Sequence, residues 1–387
     1  MRRPFILIIV ALSSILLTRV AVASQVYHHP RPTDKLETRW EWAIESAKKE
    51  GLDDSFWVAY NIRHLMGKNS FFASTGRYTY HSSFHALELM NGSSLGELVY
   101  GKRTAPDLSG EEHVKRVAEK ALEELDNPPK EQHKVWKEVA ILFLYKPLSV
   151  YPHDLRFNNL SVPFDPDGFP IFWLDKASDD ESVAFLSKLF GSMEHEQMEK
   201  KLIGAVGLHS RPELVVPFLE KLLKSRSSDA LRGRAALELG DQNSERSLEL
   251  LFECAHHDRS LHVRKRAVSG LEDLDMPAAT DGLIALARHA DHSDIRRRAI
   301  ATLGDVASRK AVKALEEFVF QDSDSEVQKH AVYALEDLPH RGGVPYLIKI
   351  ANEHPNPSVR TSAIYALGDS DDPRALEALV EIIRKND

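Results

Sequence analysis

The chain has very little cysteine. Of its 387 residues only one, Cys254, carries a thiol. A single thiol excludes an internal disulfide and any zinc cluster built on cysteines. The sequence also lacks a phosphate-binding glycine loop, a paired-cysteine motif and a dinucleotide-binding fingerprint. We therefore expect no cofactor.

The chain also has fewer basic than acidic residues. Lys and Arg number 50 against 58 Asp and Glu, which gives a net charge of −8. Nucleic-acid-binding proteins favour a basic surface, so we expect no nucleic-acid partner. Hydrophobic residues make up 43% and charged residues 28%. This composition is typical of a globular protein and not of a disordered one.

A long apolar run occurs only near the start. The stretch from Pro4 to Leu17 follows two arginines and precedes the small-x-small sequence Ala21-Val22-Ala23. This order predicts a secretory signal peptide cleaved after Ala23, because a membrane span needs ~20 apolar residues. An uncleaved anchor is the alternative, since Arg19 is unusual so close to a cleavage site. We expect a secreted or periplasmic protein with no stable membrane span after removal of residues 1–23.

Five segments in the second half recur at a constant spacing of 32 residues. One column is always alanine, at Ala235, Ala267, Ala299, Ala331 and Ala363. A second is always leucine, at Leu239, Leu271, Leu303, Leu335 and Leu367. A third is always aspartate, at Asp241, Asp273, Asp305, Asp337 and Asp369. A further leucine column follows at Leu251, Leu283, Leu315, Leu347 and Leu379.

The spacing within each segment predicts a pair of helices. Val263, Ala267 and Leu271 lie four apart, which places them on one helical face. The aspartates are predicted to cap the second helices. Pro277 and Pro373 fit the first turn of such helices, where a missing N–H costs nothing. A basic column near the start of each first helix is predicted to pair with aspartates of adjacent repeats, and its members are Arg232, Arg264, Arg296, Gln328 and Arg360.

These segments resemble HEAT-like repeats of the short bacterial type, which also occur in phycobilisome lyase subunits. The resemblance covers Met198–Asp387, and a sixth, looser copy of the repeat begins near Met198. It implies a mainly α chain, with a C-terminal α-α superhelix of about six repeats whose second helices line the concave face. The whole layout resembles exported bacterial HEAT-repeat proteins of no assigned activity. Deoxyhypusine hydroxylase, another HEAT-like protein, binds iron through His-Glu pairs before the repeat alanine. In this chain none of the residue pairs directly before the repeat alanines is His-Glu, so we expect neither that activity nor a metal.

Residues 24–191 have a different character, with more aromatic residues and no 32-residue period. They predict a small α+β domain before a repeat domain at 192–387. Helices are expected at Thr33–Glu50, Glu111–Asp126 and, behind a capping box at Ser178–Glu181, over Asp179–Phe190. The last of these is expected to seal the first repeat. A turn is predicted at Asp165–Gly168, and strands are predicted at Ser55–Met66, Val139–Tyr145 and Pro170–Leu174.

An enzymatic N-terminal domain is the competing hypothesis. The segment Gly92–Gly96 matches the nucleophile elbow of serine hydrolases, which needs a following helix. Glu97–Gly101 is predicted to be too short for one. The best residues for a hydrolase or metal enzyme would be Ser94, His81 and His85, with the repeats delivering substrate. A surface metal site at His256, His257, His289 and His292 is the other alternative, and we expect none of these sites.

The preferred hypothesis is a non-enzymatic scaffold that binds protein partners. The core columns repeat faithfully, whereas outward positions of the second helices vary. The basic runs Arg264–Arg266 and Arg296–Arg298 stand beside acidic loops, so they are predicted to be internally paired. Phe320 is either an anchor for a partner or packed against the next repeat. The predicted partner-binding residues are Glu253, His256, Arg288, Glu317, Phe320, Lys349 and Asn352.

Overall fold

The computed structural model describes residues 25–52, 54–67, 70–75, 78–83, 93–101, 134–193 and 195–386. The predicted signal peptide and the predicted helix at Glu111–Asp126 lie outside the described residues. The chain divides into two compact units, residues 1–189 and 190–387. The predicted domain boundary lies two residues beyond this division.

The first unit is built on a sheet. Its described strands are β1 (Val26–His28), β2 (Phe56–Gly67), β3 (Ser70–Thr75), β4 (Tyr78–Ser83), β5 (Lys134–Tyr145), β6 (Asp154–Asn159) and β7 (Ile171–Lys176). Five of them form a sheet in the order β1-β7-β2-β5-β6, while β3 and β4 form a hairpin. β1, β7 and β2 are parallel, and β2, β5 and β6 are antiparallel. The three predicted strands are confirmed as β2, β7 and the second half of β5.

Both faces of the sheet are covered, which explains why these strands read as nearly continuous apolar runs. Three described helices belong to this region, namely α1 (Leu36–Lys49), α2 (Leu95–Tyr100) and α3 (Asp179–Phe190). On one face, Trp57 and Trp173 pack in a buried cluster with α2. On the other face, the Trp40 ring of α1 lies 4.9 Å from Phe143 and 4.6 Å from Phe185 of α3.

Helix α3 has the bounds and the capping box that the sequence predicts. Ser178 N donates to Glu181 Oε2 and Glu181 N donates to Ser178 Oγ, each at 3.3 Å. Its expected role in sealing the first repeat stays a prediction. The buried side of α3 packs on the sheet, where Tyr60 Oη lies 2.8 Å from Ser182 Oγ. The Phe185 ring of α3 contacts the rings of Trp40 in α1 and Tyr60 in β2.

The second unit is a run of six helix pairs. The first helices are α4 (Glu196–Gly207), α6 (Asp229–Gly240), α8 (Leu261–Gly270), α10 (Ser293–Val306), α12 (Ser325–Glu336) and α14 (Pro357–Asp369). The second helices are α5 (Pro212–Leu223), α7 (Glu245–His257), α9 (Pro277–His289), α11 (Arg309–Gln321), α13 (Val344–Glu353) and α15 (Pro373–Asn386). The six predicted repeats are therefore confirmed as helix pairs.

The repeated columns form the core of this unit. All five alanines of the alanine column are completely buried, and the first leucine column is at most 1% exposed. The second leucine column is buried in its first four members, and only Leu379 is half-buried. Pro277 and Pro373 are the first residues of α9 and α15, as predicted.

The aspartate column does not cap the second helices, which corrects the sequence prediction. Asp241 and Asp337 are the C-cap residues of the first helices α6 and α12, and Asp305 lies in the last turn of α10. The second helices begin one turn later. In α11, for example, Ser308 Oγ accepts a hydrogen bond from Ala311 N at 3.1 Å. In four repeats the residue that directly precedes the second helix lies three positions after the aspartate. These residues are Ser244, Met276, Ser308 and Asp372.

Neighbouring first helices touch backbone to backbone. A Cβ added at Gly240 would lie 2.5 Å from Gly270 O, and one at Gly304 would lie 2.7 Å from Ala334 O. Real Cβ atoms do not approach carbonyl oxygens that closely, so glycine lets the helices stack at these positions. The predicted close helix contact therefore involves glycine as well as the alanine column.

Candidate partner-binding surface

The predicted partner-binding residues lie on the second helices α7, α9, α11 and α13. Five of them are exposed, and Glu317 and Phe320 are half-buried. Because the helix repeats every 3.6 residues, residues three apart such as Glu253 and His256 share a face. The exposed residues are Glu253, His256, Arg288, Lys349 and Asn352.

Ion pairs connect neighbouring second helices across this surface. Arg288 Nη2 lies 2.6 Å from Glu317 Oε2, and Lys349 Nζ lies 2.7 Å from Glu316 Oε1. Farther along the array, Arg246 Nη2 lies 2.6 Å from Glu220 Oε1. The surface therefore carries charges of both signs, and ion pairs link α5 to α7, α9 to α11 and α11 to α13.

Phe320 packs against the following repeat. Its ring centroid lies 5.3 Å from that of His354, and Lys349 Nζ stands 5.1 Å from its centre. His354 is buried, and its Nε2 donates to Val319 O at 2.8 Å. This is the alternative that the sequence left open for Phe320. Because Phe320 is only half-buried, its role as an anchor for a partner stays a prediction.

The basic column has a different role from the predicted one. Its members donate hydrogen bonds to backbone carbonyls in the last turn of the preceding second helix or directly after it. These bonds satisfy carbonyl groups that have no partner within the helix. The bonds are Arg264 Nε to Ala255 O at 2.9 Å, Arg296 Nη1 to Ala290 O at 2.9 Å, Gln328 Nε2 to Asp322 O at 2.7 Å and Arg360 Nη1 to His354 O at 2.8 Å. Gln328, the exception in sequence, therefore does what its arginine counterparts do.

Two members of the basic column also make ion pairs between repeats. The buried guanidinium of Arg232 donates to both carboxylate oxygens of Asp258, at 2.9 and 3.2 Å. Arg264 Nη2 donates to Asp291 Oδ1 at 2.5 Å. Both partners come from the turns between repeats and not from the aspartate column. The predicted ladder between adjacent repeats thus exists in part, and the acidic members of these two pairs are Asp258 and Asp291.

The basic runs are paired, as predicted. Lys265 Nζ lies 2.5 Å from Asp294 Oδ2, and Arg297 also pairs with Asp294. Arg298 Nη2 donates to Ser269 Oγ at 2.7 Å. These contacts engage Lys265, Arg297 and Arg298 within the array.

The hydrolase motif forms a helix cap. Contrary to the sequence expectation, the residues after Ser94 do form a helix, the six-residue α2. Ser94 is its N-cap: Ser94 Oγ accepts from Glu97 N at 3.1 Å, and Glu97 Oε2 accepts from Ser94 N at 2.8 Å. A short helix forms here because this reciprocal capping box stabilises its first turn. The Ser94 hydroxyl is thereby engaged in the backbone of its own helix.

The candidate histidines that the structure describes lie in several different elements. His81 lies in strand β4 and not on a helix, and His85 lies outside the described residues. His256 and His257 are adjacent at the end of α7, whereas His292 is the N-cap of α10 and accepts from Asp294 N at 3.1 Å. Within the described ranges, no group of three or more His, Cys, Asp or Glu side chains is placed to hold a metal ion.

The family comparison agrees with this architecture. The family model for HEAT repeats matches residues 216–304, 280–348 and 312–387. The C-terminal half of the chain is an array of HEAT repeats. None of the helices that the described residues form has the length and apolarity needed to cross a membrane.

Several solved structures contain a similar region. Human deoxyhypusine hydroxylase in complex with glycerol is 20% identical, with 53% of this chain and 81% of that chain covered and a TM-score of 0.24. The complex of CpcE and CpcF of phycocyanin lyase from Nostoc sp. PCC7120 is 19% identical, with 53% and 88% covered and a TM-score of 0.31. Lipovitellin is 10% identical, with 65% and 35% covered and a TM-score of 0.38. No curated protein matches the chain.

Proposed function

We propose that this protein is a non-enzymatic scaffold whose HEAT array binds protein partners through the outward residues of its second helices. The contrast between buried and exposed columns carries the proposal. The alanine column is invariant and completely buried, whereas the exposed column at Glu253 changes to alanine, glutamate, lysine and glutamate in the following repeats. A uniform scaffold with a varied surface can present a distinct pattern of charge to one partner.

Capture of the partner with surface variants tests this proposal. Glu253→Arg combined with Asn352→Glu changes two exposed positions on second helices, at opposite ends of the predicted surface. Ala301→Glu is the matched control, because Ala301 is exposed on a first helix. The native chain and the control should capture the same protein after cross-linking in the native envelope, whereas the double variant should lose it at an unchanged melting temperature. Undiminished capture by the double variant would contradict the proposed surface.

The proposal that the chain has no enzymatic activity is supported by the engagement of Ser94 as a helix cap. A broad hydrolase screen of the chain, with and without added zinc, provides the test. We expect no turnover. Glu97→Ala is the control, because it removes the same capping box. Hydrolysis that is lost in Ser94→Ala but retained in Glu97→Ala would establish the competing hypothesis of a serine hydrolase.

We further propose that the protein acts outside the cytoplasm. The order of charged, apolar and small residues over residues 1–23 supports this location. Fusion of residues 1–40 to an alkaline phosphatase that is active only after export should give an active reporter. N-terminal sequencing of the exported chain should begin at Ser24. An inactive fusion would contradict the proposed location, and an exported chain that begins at Met1 would indicate the uncleaved anchor.

A further inference from the structure

A buried asparagine lies on an apolar face of the sheet in the first unit. Asn61 belongs to β2, whose pairing with β5 is regular along its whole length. Because alternate residues of a strand point to the same face, Asn61 shares the face of Trp57, which packs with helix α2. Asn61 is 1% exposed, and its Oδ1 accepts no hydrogen bond from any described residue. A buried acceptor without a donor is costly, so it indicates a place where a ligand supplies the donor.

A β-bulge in β7 places charged side chains beside Asn61. Between the pairs Ala59–Trp173 and Asn61–Lys176, β2 advances by two residues and β7 by three. In this bulge Asp175 has a left-handed backbone conformation, with a φ of 58°. Bulges change the direction of side chains and are frequent beside functional sites. Lys176 is thereby placed directly opposite Asn61.

Two carboxylates and a phenol complete this polar group. Lys176 Nζ lies 3.9 Å from Glu138 Oε1, and both side chains are about half exposed. Trp173 Nε1 donates to Tyr100 Oη at 3.3 Å. Partial burial raises the pKa of Tyr100, and the nearby carboxylates of Asp175 and Glu138 raise it further. The Tyr100 hydroxyl therefore stands close to both carboxylates.

Exposed aromatic rings adjoin the same polar group. Tyr100 is 46% exposed and Trp136 is 49% exposed. Trp136 precedes Glu138 by two residues in β5, and Glu138 is paired with Arg63 of β2, so all three share the face of Asn61. The guanidinium of Arg63 lies 5.3 Å from the centre of the Trp136 ring. We define the sheet-face site by six residues, which are Asn61, Tyr100, Trp136, Glu138, Asp175 and Lys176.

The chemistry of the sheet-face site fits a neutral ligand that is rich in hydroxyl groups. Two acidic residues are balanced by Lys176 and by the neighbouring Arg63, so a charged ligand would gain little net attraction. Asn61 Oδ1 and the carboxylates need donors and the ammonium needs an acceptor, and a sugar hydroxyl serves as both. The aromatic rings can pack against the C–H face of a sugar ring. Because β2 is paired on both sides, a peptide could not bind there by adding a strand.

We propose that the sheet-face site binds a neutral oligosaccharide. One sugar hydroxyl donates to Asn61 Oδ1 after the Lys176 ammonium moves aside. That movement is easy, because an exposed ion pair at 3.9 Å is longer than a hydrogen bond and contributes little stability in water. Trp136 lies four residues, or ~13 Å, from Ala140, the residue opposite Asn61. A ligand that reaches both Asn61 and Trp136 therefore contains more than one sugar ring. The site belongs to the first unit, whereas the proposed protein-binding surface belongs to the second.

Titration of the full chain with saccharides tests the proposal. The saccharide probes are cellotriose, maltotriose and triacetylchitotriose, and trialanine is the peptide probe. We expect calorimetry to show one site per chain for at least one saccharide and no binding of trialanine. Of the five tryptophans, all within the described part of the chain, only Trp136 is exposed, so the bound saccharide should protect the fluorescence from acrylamide quenching. No saturable binding of any of the three saccharides, or trialanine bound as tightly as they are, would overturn the proposal.

Asn61→Leu separates binding from folding. Leucine has a similar volume and needs no donor, so the melting temperature should stay the same or rise while saccharide affinity falls at least about tenfold. Trp136→Ala removes an exposed ring and should weaken binding about three- to tenfold. Tyr365→Ala is the matched control, because Tyr365 is an exposed aromatic residue of the second unit, and it should leave the affinity unchanged. Full affinity in a folded Asn61→Leu or Trp136→Ala chain, or an equal loss in Tyr365→Ala, would overturn the assignment of the site.

Discussion

The carboxylate of Glu238 lies 2.5 Å from the guanidinium of Arg234 and packs against Gly207 of the preceding repeat. Glu238 is buried, and burial raises its pKa to about 8 although Arg234 opposes the shift. Asp241 and Asp273 raise the pKa further. The ion pair with Arg234 favours the charged form, but the loss of solvent around the buried carboxylate outweighs it.

The contact between Glu238 and Gly207 leads to a prediction about helix stacking. Gly207→Ala places a methyl group where the Glu238 carboxylate lies, so we expect a loss of ~1–3 kcal/mol in the free energy of unfolding. Gly368→Ala is the control, since a Cβ there meets no atom within 4 Å. That change should be neutral or stabilising by up to ~1 kcal/mol, because alanine favours the helix. Equal effects in urea unfolding would refute the close contact at Gly207.

The raised pKa of Glu238 predicts a dependence of stability on pH. Its pKa is about 8 in the folded chain against an ordinary value of 4.5, so the folded state holds more protons between these limits. Stability should therefore be fully present below pH ~4.5 and fall as pH rises toward ~8. Glu238→Gln removes this titration. The difference in unfolding free energy between variant and native chain should rise by ~1–3 kcal/mol from pH 5 to 8, and parallel curves would count against the raised pKa.

The repeat columns could be predicted because burial imposes the same residue types at every turn of the array. Ala299 and Leu303, for example, are completely buried, and their counterparts in the other repeats are at most 1% exposed. The bounds of α3 were also predictable, since Ser178 and Glu181 form a local capping box. Strands β1, β3 and β6 were not predicted, because short strands acquire their partners only in the folded sheet.

The assignments that failed depend on where a helix stops. The sequence does not show the length of the turn between Asp305 and α11. It therefore could not show that Ser308, and not Asp305, caps this helix. The role of Gln328 was missed for a related reason, because its acceptor is a backbone carbonyl. A signal was present, since every residue of that column has a long side chain with an N–H donor. The surface positions followed from helical periodicity, but the contacts of Phe320 required the structure.

The corrected cap gives a direct test. Ser308→Ala removes the hydroxyl that accepts from Ala311 N and should lower the unfolding free energy by ~1 kcal/mol. Asp305→Ala should cost less or stabilise the chain slightly, because Asp305 is exposed in the last turn of α10, where a negative charge opposes the helix dipole. Thermal unfolding of both variants decides between them. A larger loss in Asp305→Ala would mean that the aspartate has another structural role.

The packing of Phe320 predicts a moderate loss of stability. Phe320→Ala removes a half-buried ring from His354 and from the Lys349 ammonium, so we expect a cost of ~1–2 kcal/mol, below that of a fully buried ring. Phe318→Ala is the comparison, since Phe318 is buried on the same helix and should cost ~3–5 kcal/mol. If Phe320→Ala also abolishes capture of a partner while Phe318→Ala weakens capture only through unfolding, Phe320 is an anchor. Unchanged capture assigns the ring to the array alone.

The last prediction concerns how damage spreads along the array. Ala299 and Ala363 are both completely buried, so leucine at either position should overpack the helices and cost ~1–3 kcal/mol. In a solenoid each repeat contacts only its neighbours. Ala299→Leu should therefore weaken amide protection in α8, α10 and α12 most, whereas Ala363→Leu should leave α4 through α9 nearly unaffected. Hydrogen exchange resolved along the chain measures both patterns. Equal loss of amide protection in all six repeats for both variants would show one cooperative globule, because a substitution would then destabilise distant repeats as much as its neighbours.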